Sequence, residues 1–116
     1  MVFENITEQS SFSLRNQERE LRDFGTEEIE DFLEDMLVTP RQFVVLTAPK
    51  AQQQIRYVQA CVHDDQGIET ELGVEEADGT HLYYKICQEE ECFQIFLDFF
   101  ADRLDVNMEE YQPVLF

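Results

Sequence analysis

Residues 55–87, IRYVQACVHDDQGIETELGVEEADGTHLYYKIC, decide the fold. Three runs within them, Ile55–His63, Ile68–Val74 and His81–Cys87, are rich in β-branched and aromatic residues, which favour strands. The run Ile68–Val74 also alternates apolar and acidic side chains, as a strand with one wet face does. The connecting sequences DDQG and ADG carry the signals of tight turns. The stretch therefore predicts an antiparallel meander with one acidic or polar face.

Sequence on the N-terminal side adds one clear strand. The run QFVVLT, residues 42–47, is compact and β-branched, and we expect it to end at Pro49. Residues 1–11 are polar and predict either a short edge strand or a loose arm. The pattern does not decide which face of Ile55–His63 points inward.

Two helices flank these strands. The first follows Gly25, with Thr26 as the expected N-cap and Pro40 as the stop signal. Its apolar stripe consists of Ile29, Phe32, Leu33, Met36 and Leu37. The second helix, about Glu89–Leu104, is apolar on more than one side and needs cover. Either the segment Tyr111–Phe116 folds over it or a second chain does.

Length and periodicity together predict one domain, residues 1–116, of the α+β class. We expect an antiparallel sheet of four to six strands with the two helices packed on one face. The expected core consists of Ile29, Phe32, Leu33, Met36, Val44, Leu46, Val58, Ala60, Leu82, Phe96, Phe99 and Phe100.

The charge balance limits the classes of partner. The chain has 26 acidic and 8 basic residues, a formal charge of −18. Residues 57–116 hold fifteen acids and two bases, so this half carries −13. Such a field repels nucleic acid and anionic membranes and favours a basic partner. Acidity that serves solubility alone is an equally weighted alternative. With no signal-peptide pattern and no long apolar run, we expect a cytoplasmic protein.

Residues that carry chemistry are sparse. The three serines lie near the N-terminus outside any nucleophile motif, and the four glycines form no phosphate-binding loop. His63 and His81 with a nearby carboxylate form a conceivable metal site, but no third ligand has suitable spacing. Cys61, Cys87 and Cys92 fit no metal pattern and predict free, buried thiols. We expect no enzyme activity, no cofactor and no metal.

The order of short sequence blocks resembles a known family. An acidic helix GTEEIEDFLEDML leads into QFVVLT, followed by RYVQACV, ETELGVEE, ADGTHLYY and the aromatic FQIFLDFFADR. This order, from about Leu21 to Phe116, resembles the bacterial toxin immunity proteins of the Imm1 type. The resemblance implies a protein that binds and neutralises a toxin and has no catalytic residues. The chain differs by its high acidity and its lack of tryptophan.

A second resemblance competes with the first. Small acidic peptide-binding chaperones of the type III secretion and YbjN kind share the size, the charge and the helix–sheet–helix order. That resemblance implies a homodimer through the Cys92–Leu104 helix, with a secreted protein as the partner.

Acids of the predicted meander, with neighbouring tyrosines, are the expected partner-binding residues. Tyrosine is enriched at interface hot spots, although strands also use it simply for packing. The expected residues are Glu69, Glu71, Glu75, Glu76, Asp78, Tyr57, Tyr83 and Tyr84.

Overall fold

The predicted meander lies inside a larger antiparallel sheet, in a computed structural model that describes residues 11–63 and 66–115. Within these residues the elements are β1 (Ser13–Arg15), β2 (Glu20–Leu21), helix α1 (Thr26–Val38), β3 (Phe43–Gln52), β4 (Ile55–His63), β5 (Gly67–Glu76), β6 (Gly79–Cys87), helix α2 (Glu89–Phe100), a 3-10 turn (Met108–Glu110) and β7 (Gln112–Pro113). The class is α+β, as predicted. The expected N-terminal arm falls almost entirely outside the described residues.

The sheet of the described residues has seven strands in the order β2-β1-β3-β4-β5-β6-β7. The prediction of four to six strands is therefore too low. Three of the seven strands, β1, β2 and β7, are only two or three residues long. They add to the sheet by pairing with longer strands, and so short a segment has no detectable alternation of its own.

Strand β3 runs past the point where the sequence predicts its end. It continues through Pro49 to Gln52, with a register shift between Thr47 and Gln52. Proline is tolerated there because β1 pairs only with Val45–Thr47, so Pro49 lies beyond the part of β3 that needs a donor on that side. The result is a long β3–β4 hairpin.

Both helices pack on the same side of the sheet, as predicted. Leu46, Val58 and Leu72 pair across β3, β4 and β5, and all three side chains are fully buried. They share one core cluster with Phe32 of α1 and Phe96 of α2. The inward face of β4 is therefore the one that carries Val58 and Ala60.

Two expected core residues are not fully buried. Leu82 pairs with Gly73 and lies on the side of the sheet away from the helices. Phe100, at the end of α2, is half-buried and packs against the rings of Phe12 and Phe24. The other ten are buried as predicted.

Helix boundaries differ slightly from the prediction. The N-cap of α1 is Gly25, and its N–H donates to Glu28 Oε1 at 2.7 Å, so Thr26 is the first helical residue. Glu28 thus satisfies the N–H of the cap residue itself, whereas a threonine cap would accept from an N–H inside the first helical turn. Helix α2 ends at Phe100, four residues before the predicted Leu104. No helix within the described ranges is long and apolar enough to span a membrane.

Candidate functional site

The side of the sheet opposite the helices forms what we call the open face. Neither α1 nor α2 lies on it. Strand pairing places the same-side residues of neighbouring strands in rows, and most of their side chains are half-buried. The open face includes Arg15, Phe43, Val45, Thr47, Tyr57, Gln59, Cys61, Glu69, Glu71, Leu82, Tyr84 and Ile86.

Two glutamates of β5 occupy the centre of the open face. Glu71 lies opposite Gln59 on β4 and Tyr84 on β6. Glu69 lies two residues earlier and projects to the same side, because side chains of a strand alternate. The central strand of the meander therefore presents adjacent carboxyl groups to the outside.

The two carboxyl groups strongly affect each other. Burial, a hydrogen bond to Glu69 and the charge of Glu69 together raise the pKa of Glu71 from 4.5 to about 7. Near pH 7, about half of the molecules therefore carry one proton on this pair of carboxyl groups. Among the described residues no Lys or Arg lies within 4 Å of either carboxylate. The His63 imidazole lies beside the pair, with its Nε2 3.9 Å from Glu69 Oε1.

Tyr57 borders this pair and is held in place by the strand beside it. Tyr57 pairs with Gly73, and a Cβ added at Gly73 would overlap the tyrosine ring. The ring thus lies over the glycine backbone, an arrangement that a larger residue would block. Burial and the nearby Glu71 raise the pKa of Tyr57, so its hydroxyl stays protonated at neutral pH.

Cys61 lies beside the same acids. Burial, then the charges of Glu69 and Glu71, raise the pKa of the Cys61 thiol. Very little thiolate is present at neutral pH, and the thiolate is the reactive form. Cys87 and Cys92 are buried and free, as predicted, whereas Cys61 is only half-buried.

The structure separates the predicted partner-binding residues into two groups. Tyr57, Glu69, Glu71 and Tyr84 lie together on the open face. Glu75 follows on the same side near the end of β5, where it accepts a hydrogen bond from Arg56 at 3.1 Å. The remaining residues gather elsewhere, at the β5–β6 turn.

The second group surrounds His81. Its Nε2 lies 2.7 Å from Asp78 Oδ1 and 3.6 Å from Glu76 Oε1, and the Tyr83 hydroxyl donates to Glu76 Oε2 at 2.9 Å. The hydrogen bond to Asp78 raises the pKa of His81. Tyr83 and Tyr84 are neighbours in sequence, so they point to opposite sides of β6 and cannot belong to one surface.

Within the described ranges, three potential metal-ligating side chains come together only in this second group. One donor atom from each of Glu76, Asp78 and His81 lies within 4.8 Å of the others. All three side chains are substantially exposed; Asp78 and His81 contact each other, and Glu76 accepts the Tyr83 hydroxyl. His63 is not part of it: His63 pairs with Gly67 and His81 with Val74, about 23 Å away along β5.

Helix α2 receives its cover from within the chain. Phe12 lies edge-on to Phe99 and Phe100, at ring-centroid distances of 6.0 and 5.1 Å. Tyr111 is 8% exposed and β7 pairs with β6, so the C-terminal segment also docks. Among the described residues the large exposed apolar side chains are Val38, Val62, Met108 and Leu115, none of them on α2.

Sequence reasoning missed three residues that surround the two glutamates. Gln59 and Ile86 flank the glutamates and His63 approaches Glu69, but none of these was predicted as a partner-binding residue. The more polar face of Ile55–His63 could have indicated which residues lie on the open face. This signal was ambiguous because both faces of the strand mix polar and apolar residues.

Comparisons with protein-family models, with curated proteins and with solved structures gave no match. We therefore define the class of this molecule by its geometry. It is an α+β domain with two helices on one side of an antiparallel sheet and a half-buried acidic pair on the other.

Proposed function

We propose that this protein binds another protein through the open face and acts as an immunity-type inhibitor of a basic bacterial toxin. The observation that carries the proposal is the carboxylate pair of Glu69 and Glu71 at the centre of a sheet face that neither helix covers. The inhibitor would occlude a basic surface of the toxin, without any chemical step.

The energetics of the acidic pair support a binding role. Two like charges held side by side and half-buried reduce the stability of the domain, because each disfavours ionisation of the other. An isolated domain gains nothing from this arrangement. A partner that supplies a positive charge relieves the repulsion, so the complex gains what the free protein lacks.

The composition of the open face also suits recognition. Tyr57 and Tyr84 provide large side chains that lose little conformational entropy on binding, and Gln59 offers both donor and acceptor atoms. The formal charge of −18 attracts a basic partner over a distance and speeds the encounter.

The alternative, a dimeric peptide-binding chaperone, has less support. It was motivated by the apolar surface of the Cys92–Leu104 helix. In the described structure Cys92, Ile95, Phe96 and Phe99 are buried, and Phe93, Leu97, Phe100 and Leu104 pack against the same core. No observation on this helix favours a second copy.

The proposal is tested by gene deletion and by direct binding. We expect loss of this gene alone to harm cells that keep an intact neighbouring toxin gene, and loss of both genes to be tolerated. The purified product of the neighbouring gene should bind this protein in calorimetry and lose its toxic activity. Healthy growth after deletion of this gene alone, beside an intact and expressed neighbour, would contradict the proposal.

A further inference from the structure

We propose that the carboxyl groups of Glu69 and Glu71 form a seat for one arginine side chain of the partner, and that seating it expels a proton. This inference rests on the proposed function, because it names the chemistry with which a partner meets the open face. It assigns the central contact to a guanidinium group and makes complex formation depend on pH.

The seat is defined by the residues around the acidic pair. Across β4 lie Gln59 and Cys61, and across β6 lie Tyr84 and Ile86. These neighbours limit the access of water to the pair, since Glu69 has only 23% of its side-chain surface exposed. The carboxyl oxygens remain reachable from the outer side of the sheet, where neither helix lies.

Arginine fits this seat better than lysine does. A guanidinium group is planar and carries five N–H donors in a fixed fork, which suits two adjacent carboxylates. It also stacks on aromatic rings, and Tyr84 stands directly beside Glu71. It is less strongly hydrated than an ammonium group, so its transfer to a half-buried site costs less.

Proton release follows from the way the pair ionises. In the free protein the pKa of Glu71 is about 7, because burial and Glu69 disfavour its charged form. The other titratable groups near it are Tyr57 and Cys61 on β4, His63 beyond them, and Tyr84 on β6. The His63 imidazole lies beside Glu69, not Glu71. A seated guanidinium favours the charged form of both carboxyl groups, so the shared proton leaves to solvent.

The experiment uses the full, ¹³C-labelled chain and a defined probe, the peptide acetyl-Thr-Arg-Thr-Arg-Thr-amide. Side-chain carboxyl signals of Glu69 and Glu71 are followed by NMR as pH and peptide concentration vary. Two further peptides carry citrulline or lysine in place of arginine. Citrulline keeps the shape of the side chain and removes its charge.

We expect the arginine peptide to lower the pKa of Glu71 by at least one unit, equivalent to about a tenfold change in affinity between its two protonation states. Its affinity should therefore fall by about eightfold or more from pH 8 to pH 5. The citrulline peptide should leave the signals unchanged, and the lysine peptide should bind more weakly. Glu71→Gln should weaken arginine-peptide binding about fivefold or more.

A matched control separates the seat from general attraction. Glu90→Gln removes one negative charge from an exposed position at the start of α2 and should leave peptide binding unchanged. Equal losses in Glu71→Gln and Glu90→Gln, or an unchanged Glu71 pKa at saturating arginine peptide, would overturn the seat. Equal effects of the lysine peptide would overturn its preference for arginine.

Failure of the arginine seat can be told apart from failure of the proposed immunity role. If the neighbouring gene product binds with the same affinity to Glu71→Gln as to the unchanged chain, the seat fails while the immunity role stands. If the peptide titrates Glu71 as expected but the gene pair shows no protection, the immunity role fails alone.

Discussion

The titration of Glu71 links the open face to the stability of the whole domain. Its pKa is raised from 4.5 to about 7, so the folded state binds this proton more tightly than the unfolded state does. The resulting stabilisation is fully present below pH 4.5 and is lost as pH rises through 7. At a pH where both carboxylates are charged, Glu71 should therefore lower the free energy of unfolding of the free protein.

Replacing Glu71 by glutamine tests this link. Glu71→Gln should match the unchanged protein near pH 4 and exceed its unfolding free energy by about 1–2 kcal/mol above pH 7, once solvent screening of a half-buried group is allowed for. Urea unfolding at several pH values measures the difference. Glu90→Gln is the control for a general change in net charge. A gain that is the same at pH 4 and pH 8 would contradict the explanation.

The contact between Tyr57 and Gly73 yields a second prediction at this scale. Because a Cβ at position 73 would overlap the tyrosine ring, Gly73→Ala should destabilise the domain by about 1–3 kcal/mol. In a Tyr57→Ala background the same change should cost much less, since alanine otherwise suits a strand better than glycine. A double-mutant cycle by urea unfolding measures the coupling. Equal costs in both backgrounds would show that the ring does not depend on the glycine.

At the scale of elements, Lys85 joins β6 to α2 and to the C-terminal segment. Its Nζ lies 2.6 Å from Glu91 and 2.8 Å from Glu110, and 4.9 Å from the centre of the Tyr111 ring. Burial alone would lower the pKa of Lys85, but the hydrogen bonds to Glu110 and Glu91 outweigh it and raise the pKa. The lysine side chain is 15% exposed, so the contact is better protected from water than a surface ion pair.

Replacing this lysine should loosen the C-terminal segment. Lys85→Met should cost about 1–2 kcal/mol, because it leaves two carboxylates without their cation beside a buried ring. The amide of Val114, which donates to Leu82, should exchange with solvent faster. Arg22→Met provides the comparison, since the Arg22–Glu20 pair is exposed and should change stability by less than about 0.5 kcal/mol. Similar losses in the two variants would contradict this role for Lys85.

The elements show where sequence reasoning succeeds. Helix α1 and strands β4, β5 and β6 were predictable because each has its own periodicity or turn signal. The bounds of the short strands β1, β2 and β7 were not, since two or three residues have no period and take their form from the strand beside them. The prediction ended strand β3 at Pro49, whereas the strand continues to Gln52. A proline fits within a strand where no neighbour needs its N–H, and the sequence does not show how far β1 extends beside β3.

The candidate site was predictable only in part, for a related reason. Alternation along β5 identified Glu69 and Glu71 as same-side residues, but the grouping of Tyr83 with Tyr84 ignored that alternation along β6. The separation of His63 from His81 depends on strand register, which the sequence does not reveal. Register also decides that Tyr57 meets Gly73 and that Glu71 meets Tyr84.

At the scale of the whole molecule, the charge of −18 is a source of self-repulsion. Added salt screens it, since the screening length shrinks from about 30 Å at 0.01 M to about 4 Å at 0.5 M. The melting temperature should therefore rise by a few degrees over that range in calorimetry. A variant with Glu89, Glu90 and Glu109 changed to glutamine should show a smaller rise. A melting temperature that falls with salt would mean that attractive ion pairs outweigh the repulsion.

One side of the sheet packs against both helices and forms the core, and we propose that the other side meets a partner. The most direct test is the affinity for the neighbouring gene product, measured by calorimetry for two double variants of equal charge. Glu69→Gln with Glu71→Gln alters the open face, and Glu89→Gln with Glu90→Gln alters the start of α2. We predict at least a tenfold loss for the first pair and less than about a threefold loss for the second. Equal losses, or a larger loss from the helix pair, would contradict the account.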